Sequence, residues 1–205
     1  RSVFLDLFGD PVTNPKGWEI KKFSDLGDWA SGGTPSRSNK DYFNGDINWY
    51  SAGELNQRYL GGSVEKISSN AIDETSAKIF KKGSILLGMY DTAAFKESIL
   101  LEDSSSNQAC ANLYPNKLVN IEWFYSFISL AKGHYLKQRR GVRQQNLNLG
   151  MIKDFELYLP PKDLQDKFCS LILKQNETNK AVNKAVERSD NLFNSLSQKA
   201  FAGEL

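Results

Sequence analysis

The chain has 205 residues, of which 40% are hydrophobic, with 26 Lys and Arg set against 24 Asp and Glu. That length holds one compact domain of about 150 residues plus an appendage, and the lack of any ~18-residue apolar run excludes a membrane-spanning helix. A net charge of +2 says nothing about partners, so the distribution of charge along the chain has to carry the argument.

Residues 1–10 read as the last turns of a helix that stops at Gly9, with Pro11 beyond it. The other end, Ser195 to Glu204, repeats the pattern of an apolar tail, a Phe and a Gly beside an acid, as expected of one unit in a tandem. The opening Arg-Ser-Val carries neither an initiator Met nor a signal-peptide pattern, so the sequence reads as part of something longer. Residues 11–17 are turn-rich, and Trp18 to Phe23 form a strand or the entry to a short helix. Ser31-Gly32-Gly33-Thr34-Pro35-Ser36 is a glycine loop without the Lys-Ser/Thr of a phosphate-binding loop, and an ordinary turn is the expectation. Tyr42 to Tyr50 is a turn feeding an aromatic strand. From 64 to 101 the pattern is strand, turn, short helix (Ile72 to Ile79) and strand, with Lys81-Lys82-Gly83 turning into the apolar run Ser84 to Tyr90. Further strands are expected at Ser98–Leu101 and Ala109–Tyr114, and a core helix at Ile121–Ala131. Strands and short helices in mixed order argue an α+β domain.

From Trp123 to Lys153 there is no acidic residue, but there are Lys132, Lys137, Arg139, Arg140, Arg143 and Lys153, interleaved with Gln138, Gln144, Gln145, Asn146 and Asn148. Cations neutralise phosphates, while Arg, Gln and Asn carry the forked donors and acceptors that match base edges. A solvated basic loop is the plain alternative. Arg37, Arg58, Lys78, Lys81, Lys82 and Lys96 extend the surface if they share its face. Catalysis finds no support: His134 is the only histidine, no nucleophile sits in a triad-like frame, and metal-ligand spacing is absent. Cys110 and Cys169 lie far apart without a CxxC, as expected of reduced packing residues in a cytoplasmic protein.

After Leu159-Pro160-Pro161 no glycine occurs until Gly203. Apolar residues then recur at spacings of three and four: Leu164, Phe168, Leu171, Val182, Ala185, Leu192 and Leu196, with Gln175 and Thr178 in the seam between. This is a coiled-coil stripe. A helix from Lys162 to Phe201 runs about 60 Å, too long for one small domain to bury, so it calls for another helix.

The sequence resembles the DNA-specificity (S) subunits of type I restriction–modification systems. The resemblance rests on Phe8-Gly9-Asp10-Pro11 with Asn14-Pro15-Lys16-Gly17-Trp18, on Gly32-Gly33-Thr34-Pro35-Ser36, and on Tyr42-Phe43-Asn44-Gly45-Asp46-Ile47-Asn48-Trp49. It continues through Thr75-Ser76-Ala77-Lys78, Gly83-Ser84-Ile85-Leu86-Leu87, Asn107-Gln108-Ala109 and Gln144-Gln145-Asn146-Leu147-Asn148. It closes on Leu157-Tyr158-Leu159-Pro160-Pro161 with Leu164-Gln165, and on Ala200-Phe201-Ala202-Gly203-Glu204-Leu205. Tyr90-Asp91-Thr92-Ala93-Ala94 departs from it, standing where such subunits often have a small, basic or glycine-containing turn.

The resemblance implies an α+β target recognition domain over residues 17–160, preceded at 1–16 by the end of a spacer helix and followed at 161–205 by a long spacer helix. It implies a non-catalytic reader of one half of a bipartite double-stranded DNA target. Arg37, Arg58, Lys78, Lys96, Lys137, Arg139, Arg140, Arg143, Gln144, Gln145 and Asn146 are the DNA-binding candidates; Leu164, Phe168, Leu171, Val182, Leu192 and Leu196 are the helix-pairing ones. The implied partners are methyltransferase subunits, motor-nuclease subunits through them, and a second specificity half or a second copy of the chain. S-adenosylmethionine, ATP and magnesium belong to those partners, leaving this chain with no cofactor. The competing reading is a coiled-coil adapter with an incidental basic patch.

Overall fold

The computed structural model describes residues 1–138 and 146–202. Its elements in chain order are α1 (Ser2–Phe8), β1 (Glu19–Lys22), β2 (Gly27–Ser31), β3 (Ile47–Tyr50), β4 (Tyr59–Leu60) and β5 (Glu65–Ile67). Then come α2 (Ser69–Glu74), β6 (Ile85–Gly88), β7 (Glu97–Leu100), β8 (Ser105–Ser106), β9 (Cys110–Pro115), α3 (Ile121–Leu136), α4 (Leu149–Asp154), β10 (Glu156–Leu159) and α5 (Lys162–Ala202). This is the α+β class that the mixed order of elements predicts. The chain divides into two units, Arg1–Asp166 and Lys167–Leu205.

The first unit is built on a five-stranded sheet in the order β2-β9-β6-β7-β4, beside a three-stranded sheet β5-β3-β8 and the pair β1-β10. Strand β6 sits between β9 and β7, and Ile85, Leu86 and Leu87 are all buried rather than alternating, so both faces of the sheet are covered there. Helix α3 packs on β7 and supplies Trp123, Phe124, Phe127 and Ile128 to the core. It begins where the Asn120 side chain accepts from the Glu122 N–H, and it runs to Leu136, five residues beyond the predicted Ala131. The short helix expected over 72–79 starts earlier: the Ser68 hydroxyl accepts from the Ala71 N–H and sets α2 at Ser69. At its end Thr75 is extended. Strands β2 and β10 carry no alternation strong enough to be read from sequence; each is specified by its partner, β9 and β1 respectively.

The β1-β10 pairing sets Glu19 opposite Leu159 and Lys22 opposite Glu156, so the chain enters and leaves the globular part side by side. The Tyr158 hydroxyl donates to the Gly9 carbonyl at 3.1 Å, and the Trp18 indole N–H donates to the Phe8 carbonyl at 3.0 Å. These bonds hold the C-terminal end of α1, which stops at Gly9 with φ of 82°, against the strand pair.

The second unit is helical. Helix α5 has 41 residues in all, about 60 Å at 1.5 Å per residue, as the glycine-free stripe predicts. No helix among the described residues is long and apolar enough to cross a membrane.

Candidate nucleic-acid interface

All five strands of the main sheet meet one rim. Antiparallel pairing of β2 with β9, β9 with β6 and β6 with β7, and parallel pairing of β4 with β7, fix the arrangement. At that rim β2 ends at Ser31, β6 ends at Gly88, and β9, β7 and β4 begin. The loops gathered there are Gly32–Pro35, Asn56–Arg58, Met89–Lys96 and Asn107–Ala109.

The glycine loop does not cradle an anion. The N–H groups of its two glycines are used internally, Gly32 to the Cys110 carbonyl at 3.1 Å and Gly33 to the Ser106 carbonyl at 2.9 Å. The glycines serve close approach instead: a Cβ on Gly33 would lie 2.3 Å from the Ser76 carbonyl oxygen, and one on Gly32 would lie 2.2 Å from the Asn107 carbonyl oxygen. The loop thus carries exposed Thr34 to the rim, where its hydroxyl donates to the side chain of exposed Gln108. The same approach brings the Thr75-Ser76-Ala77-Lys78 segment against the loop, with Lys78 exposed.

The next turn along, Tyr90 to Phe95, is locked at both ends. Phe95 donates from its N–H to the Gly88 carbonyl at 2.9 Å, and Gly88 donates to the Lys96 carbonyl at 2.8 Å. Two of its residues have positive φ, Asp91 at 47° and Phe95 at 55°. For a bulky residue this conformation costs energy that packing must offset. Phe95 is fully buried, stacked on Tyr135 at 5.2 Å between ring centroids and packed on Phe155 at 5.7 Å. Tyr135 lies in the last turn of α3, so this stack delivers Lys137 and Gln138, both exposed, to the same turn.

The other end of the basic stretch returns to the same place. The Leu147 N–H donates to the Met89 carbonyl at 2.8 Å, and the Asn146 side-chain oxygen accepts from the Asp91 N–H at 3.1 Å. Arg139, Arg140, Arg143, Gln144 and Gln145 lie outside the described residues, but the two anchors of their segment fall on one turn at the rim.

Two of the remaining cationic candidates are held in ion pairs. Arg58 donates to the Glu122 carboxylate from Nε at 3.0 Å and from a terminal nitrogen at 2.6 Å, and lies 4.5 Å from the Tyr125 ring centroid. Arg37 makes a forked pair with Glu65 and lies 4.3 Å from the Phe43 ring centroid. The hydrogen bond to Glu65 raises the pKa of Arg37 above its ordinary value, and the same bond holds the Glu65 carboxyl below its own. Lys96 donates to the Asn56 side chain at 2.8 Å on the rim. Sequence reasoning missed Thr34, Gln108, Asn56 and Asp91, because neutral or acidic residues on separate loops leave no charge signal. Only the strand register joins them.

Nucleophilic chemistry has no foothold at Cys110, whose thiol is buried and pushed up to about 12 by that burial. Among the described residues no group of three or more His, Cys, Asp and Glu could hold a metal ion.

The model of the type I restriction modification DNA specificity domain matches residues 15–188. The chain belongs to this specificity-domain family. The specificity domain described here is 31% identical over 163 residues to the MjaIX specificity subunit of Methanocaldococcus jannaschii, covering 77% of this chain and 38% of that protein. It is 19% identical to the EcoR124I/EcoR124II specificity subunit of Escherichia coli, over 92% of this chain and 48% of that one. It therefore spans less than half the length of these curated relatives. Its fold is shared with the HsdS subunit from Thermoanaerobacter tengcongensis, with a TM-score of 0.66 at 14% identity, covering all of this chain and 50% of that one. The S subunit from M. genitalium gives a TM-score of 0.59 at 13% identity, over 89% of this chain and 45% of that one.

Proposed function

We propose that this specificity domain reads one half of a bipartite double-stranded DNA target through the rim of its five-stranded sheet, and that α5 joins it to the rest of a type I restriction–modification complex. The observation that carries the reading is the convergence of both anchors of the acid-free basic stretch, Tyr135 on Phe95 and Asn146 on Asp91, at one rim lined by Thr34, Gln108 and Lys96. Such a surface supplies both things a groove reader needs. Cations at Lys78, Lys96, Lys137, Arg139, Arg140 and Arg143 meet phosphates, and forked amides at Gln108, Gln144, Gln145 and Asn146 face base edges. Arg37 and Arg58 take a different part. Their guanidinium groups are committed to Glu65 and Glu122, so they brace the loops beside the rim rather than contact DNA.

The chain itself performs no catalysis in this reading. Methyltransferase subunits dock on it, motor-nuclease subunits join through them, and S-adenosylmethionine, ATP and magnesium are bound by those proteins. Helix α5 pairs with the helix of a second specificity half or of a second copy. Leu171, Val182, Leu192 and Leu196 are exposed on it, while Phe168 is buried and Leu164 half-buried, so the pairing runs from Leu171 outward.

The test is selection of bound sequences from random duplex DNA at physiological salt, with and without a methyltransferase subunit. The expected outcome is a short enriched half-site motif, accompanied by its inverted copy where two copies of the chain pair through α5. Failure to enrich any sequence, with the partner present, would overturn the reading and leave α5 as an assembly helix.

A further inference from the structure

Asp91 is out of place on a surface that binds phosphates. It is exposed, it stands on the turn where both ends of the basic stretch are anchored, and it is followed in space by a stretch with no acid from Trp123 to Lys153. Other carboxylates on the elements of this end are occupied. Glu54 accepts from the Ser51 and Val64 N–H groups at 2.8 Å each, Glu122 holds Arg58, and Glu97 faces Lys132 at 3.9 Å. Among the described residues, no hydrogen bond or ion pair reaches the Asp91 carboxylate.

The backbone beneath it is tied down at several points. The N–H of Asp91 is held by Asn146, its carbonyl accepts from the Ala94 N–H at 3.2 Å, and the turn is closed by buried Phe95. Gly88 is required for that closure, since a Cβ there would lie 2.1 Å from the Ala93 carbonyl oxygen. A negative charge on a fixed tip opposes binding to the DNA backbone, so its contribution lies at a base edge. Of the base-edge groups in the major groove, the exocyclic amine of cytosine is the donor that a single carboxylate accepts from best.

We propose that Asp91 is a specificity-determining residue that accepts a hydrogen bond from the N4 amino group of a cytosine in the major groove. The inference rests on the DNA-reading role proposed above and assigns one position of the half-site to one residue. Asn146, which holds the Asp91 N–H, is a positioning residue in this scheme.

The experiment compares the full chain, assembled with a methyltransferase subunit, with its Asp91→Asn and Asp91→Gly variants in selection from random duplex DNA. Binding to non-target duplex is measured in parallel. Both substitutions keep the positive φ accessible. Asp91→Gly is expected to lose the cytosine preference at one position, with discrimination falling on the order of ten- to a hundredfold, while non-target binding tightens because a negative charge is gone. Asp91→Asn is expected to shift that position toward adenine, whose N6 and N7 match a carboxamide. Unchanged motifs with uniformly tighter binding would overturn the proposal and leave Asp91 as a surface charge. Absence of a motif with the unsubstituted chain is a different result, because it overturns the DNA-reading role itself.

Discussion

At Gly33 the chain has no room for even one methyl group, because the Ser76 carbonyl oxygen and the Ala77 nitrogen lie 2.3 and 2.7 Å from where a Cβ would be. Both are backbone atoms and cannot swing aside. Gly33→Ala is therefore expected to lower unfolding stability by about 1–3 kcal/mol, read as a fall in the urea midpoint. Gly62→Ala, with nothing within 4 Å of its Cβ position, leaves the midpoint unchanged. Glu97 presents a second single-residue effect. Its side chain is buried beside Lys132 and Ser129, and burial raises its pKa above the ordinary value of 4.5, the hydrogen bond from Ser129 and the charge of Lys132 only partly opposing this. A folded-state pKa above the unfolded one means that folding takes up a proton between the two. Stability is then greatest below the unfolded pKa, falls as pH rises through the folded one, and levels off above it. Glu97→Gln removes this dependence, so the variant gains stability relative to the unsubstituted chain between pH 4 and pH 7. Equal differences at the two pH values would contradict the assigned burial effect.

Among the elements, the first turn of α5 does more than begin a helix. Gln165 is fully buried, and it serves three backbone groups at once. Its side-chain oxygen accepts from the Asn120 N–H at 2.8 Å, and its amide donates to the Leu118 carbonyl at 3.1 Å and the Pro160 carbonyl at 2.9 Å. Asn120 in turn caps α3 and donates to Asp166 at 2.7 Å. Gln165→Ala strands those buried groups and is expected to cost ~1–3 kcal/mol, with faster amide exchange at Asn120 and Glu122 than in the strands β6 and β9. Uniform exchange across all of them would show that Gln165 is not the local tie. Sequence marked Leu164-Gln165 as part of a resemblance but could not supply this role, because two of its three partners, Leu118 and Asn120, lie on a loop far away in the chain. The same limit governs the fold generally. The helix α5, the apolar strand β6 and the stop of α1 at Gly9 were legible because each is written in a local run or a punctuating glycine. Strands β2 and β10 were not, since neither has a pattern of its own and each is defined by long-range pairing. The candidate site divides likewise: the basic stretch stands out by composition, whereas Thr34, Gln108 and Asp91 join it only through the register of β2, β9 and β6. Arg37 and Arg58 looked like free cations because nothing in sequence places Glu65 and Glu122 beside them.

On the scale of the whole molecule, the governing fact is a helix with large apolar side chains in water. Val182 is 53% exposed, Leu192 60% and Leu196 44%, and Val186 and Phe193 beside them are 52% and 70% exposed. Val186 and Phe193 widen the stripe beyond the narrow seam read from sequence, to the width that a helix in a bundle of several partners presents. If α5 pairs as proposed, a single partner helix would cover only the seam, and the flanking Val186 and Phe193 would be left for the proposed methyltransferase contact. Two copies of this chain joined through α5 would be related by a two-fold axis, so their two readers face the duplex as inverted equivalents. The expected selected motif is then one half-site and its inverted copy at a fixed separation. Leu192→Glu with Leu196→Glu sets like charges in the seam and is expected to convert the assembly to single copies, seen as a halved mass in light scattering. The selected motif should shrink to one half-site with its base preferences intact, because the rim lies in the other unit. If the doubly substituted chain keeps both its mass and its paired motif, α5 is not the pairing element. If its mass halves and the base preferences change as well, the reader and the helix are not the separate functions argued here.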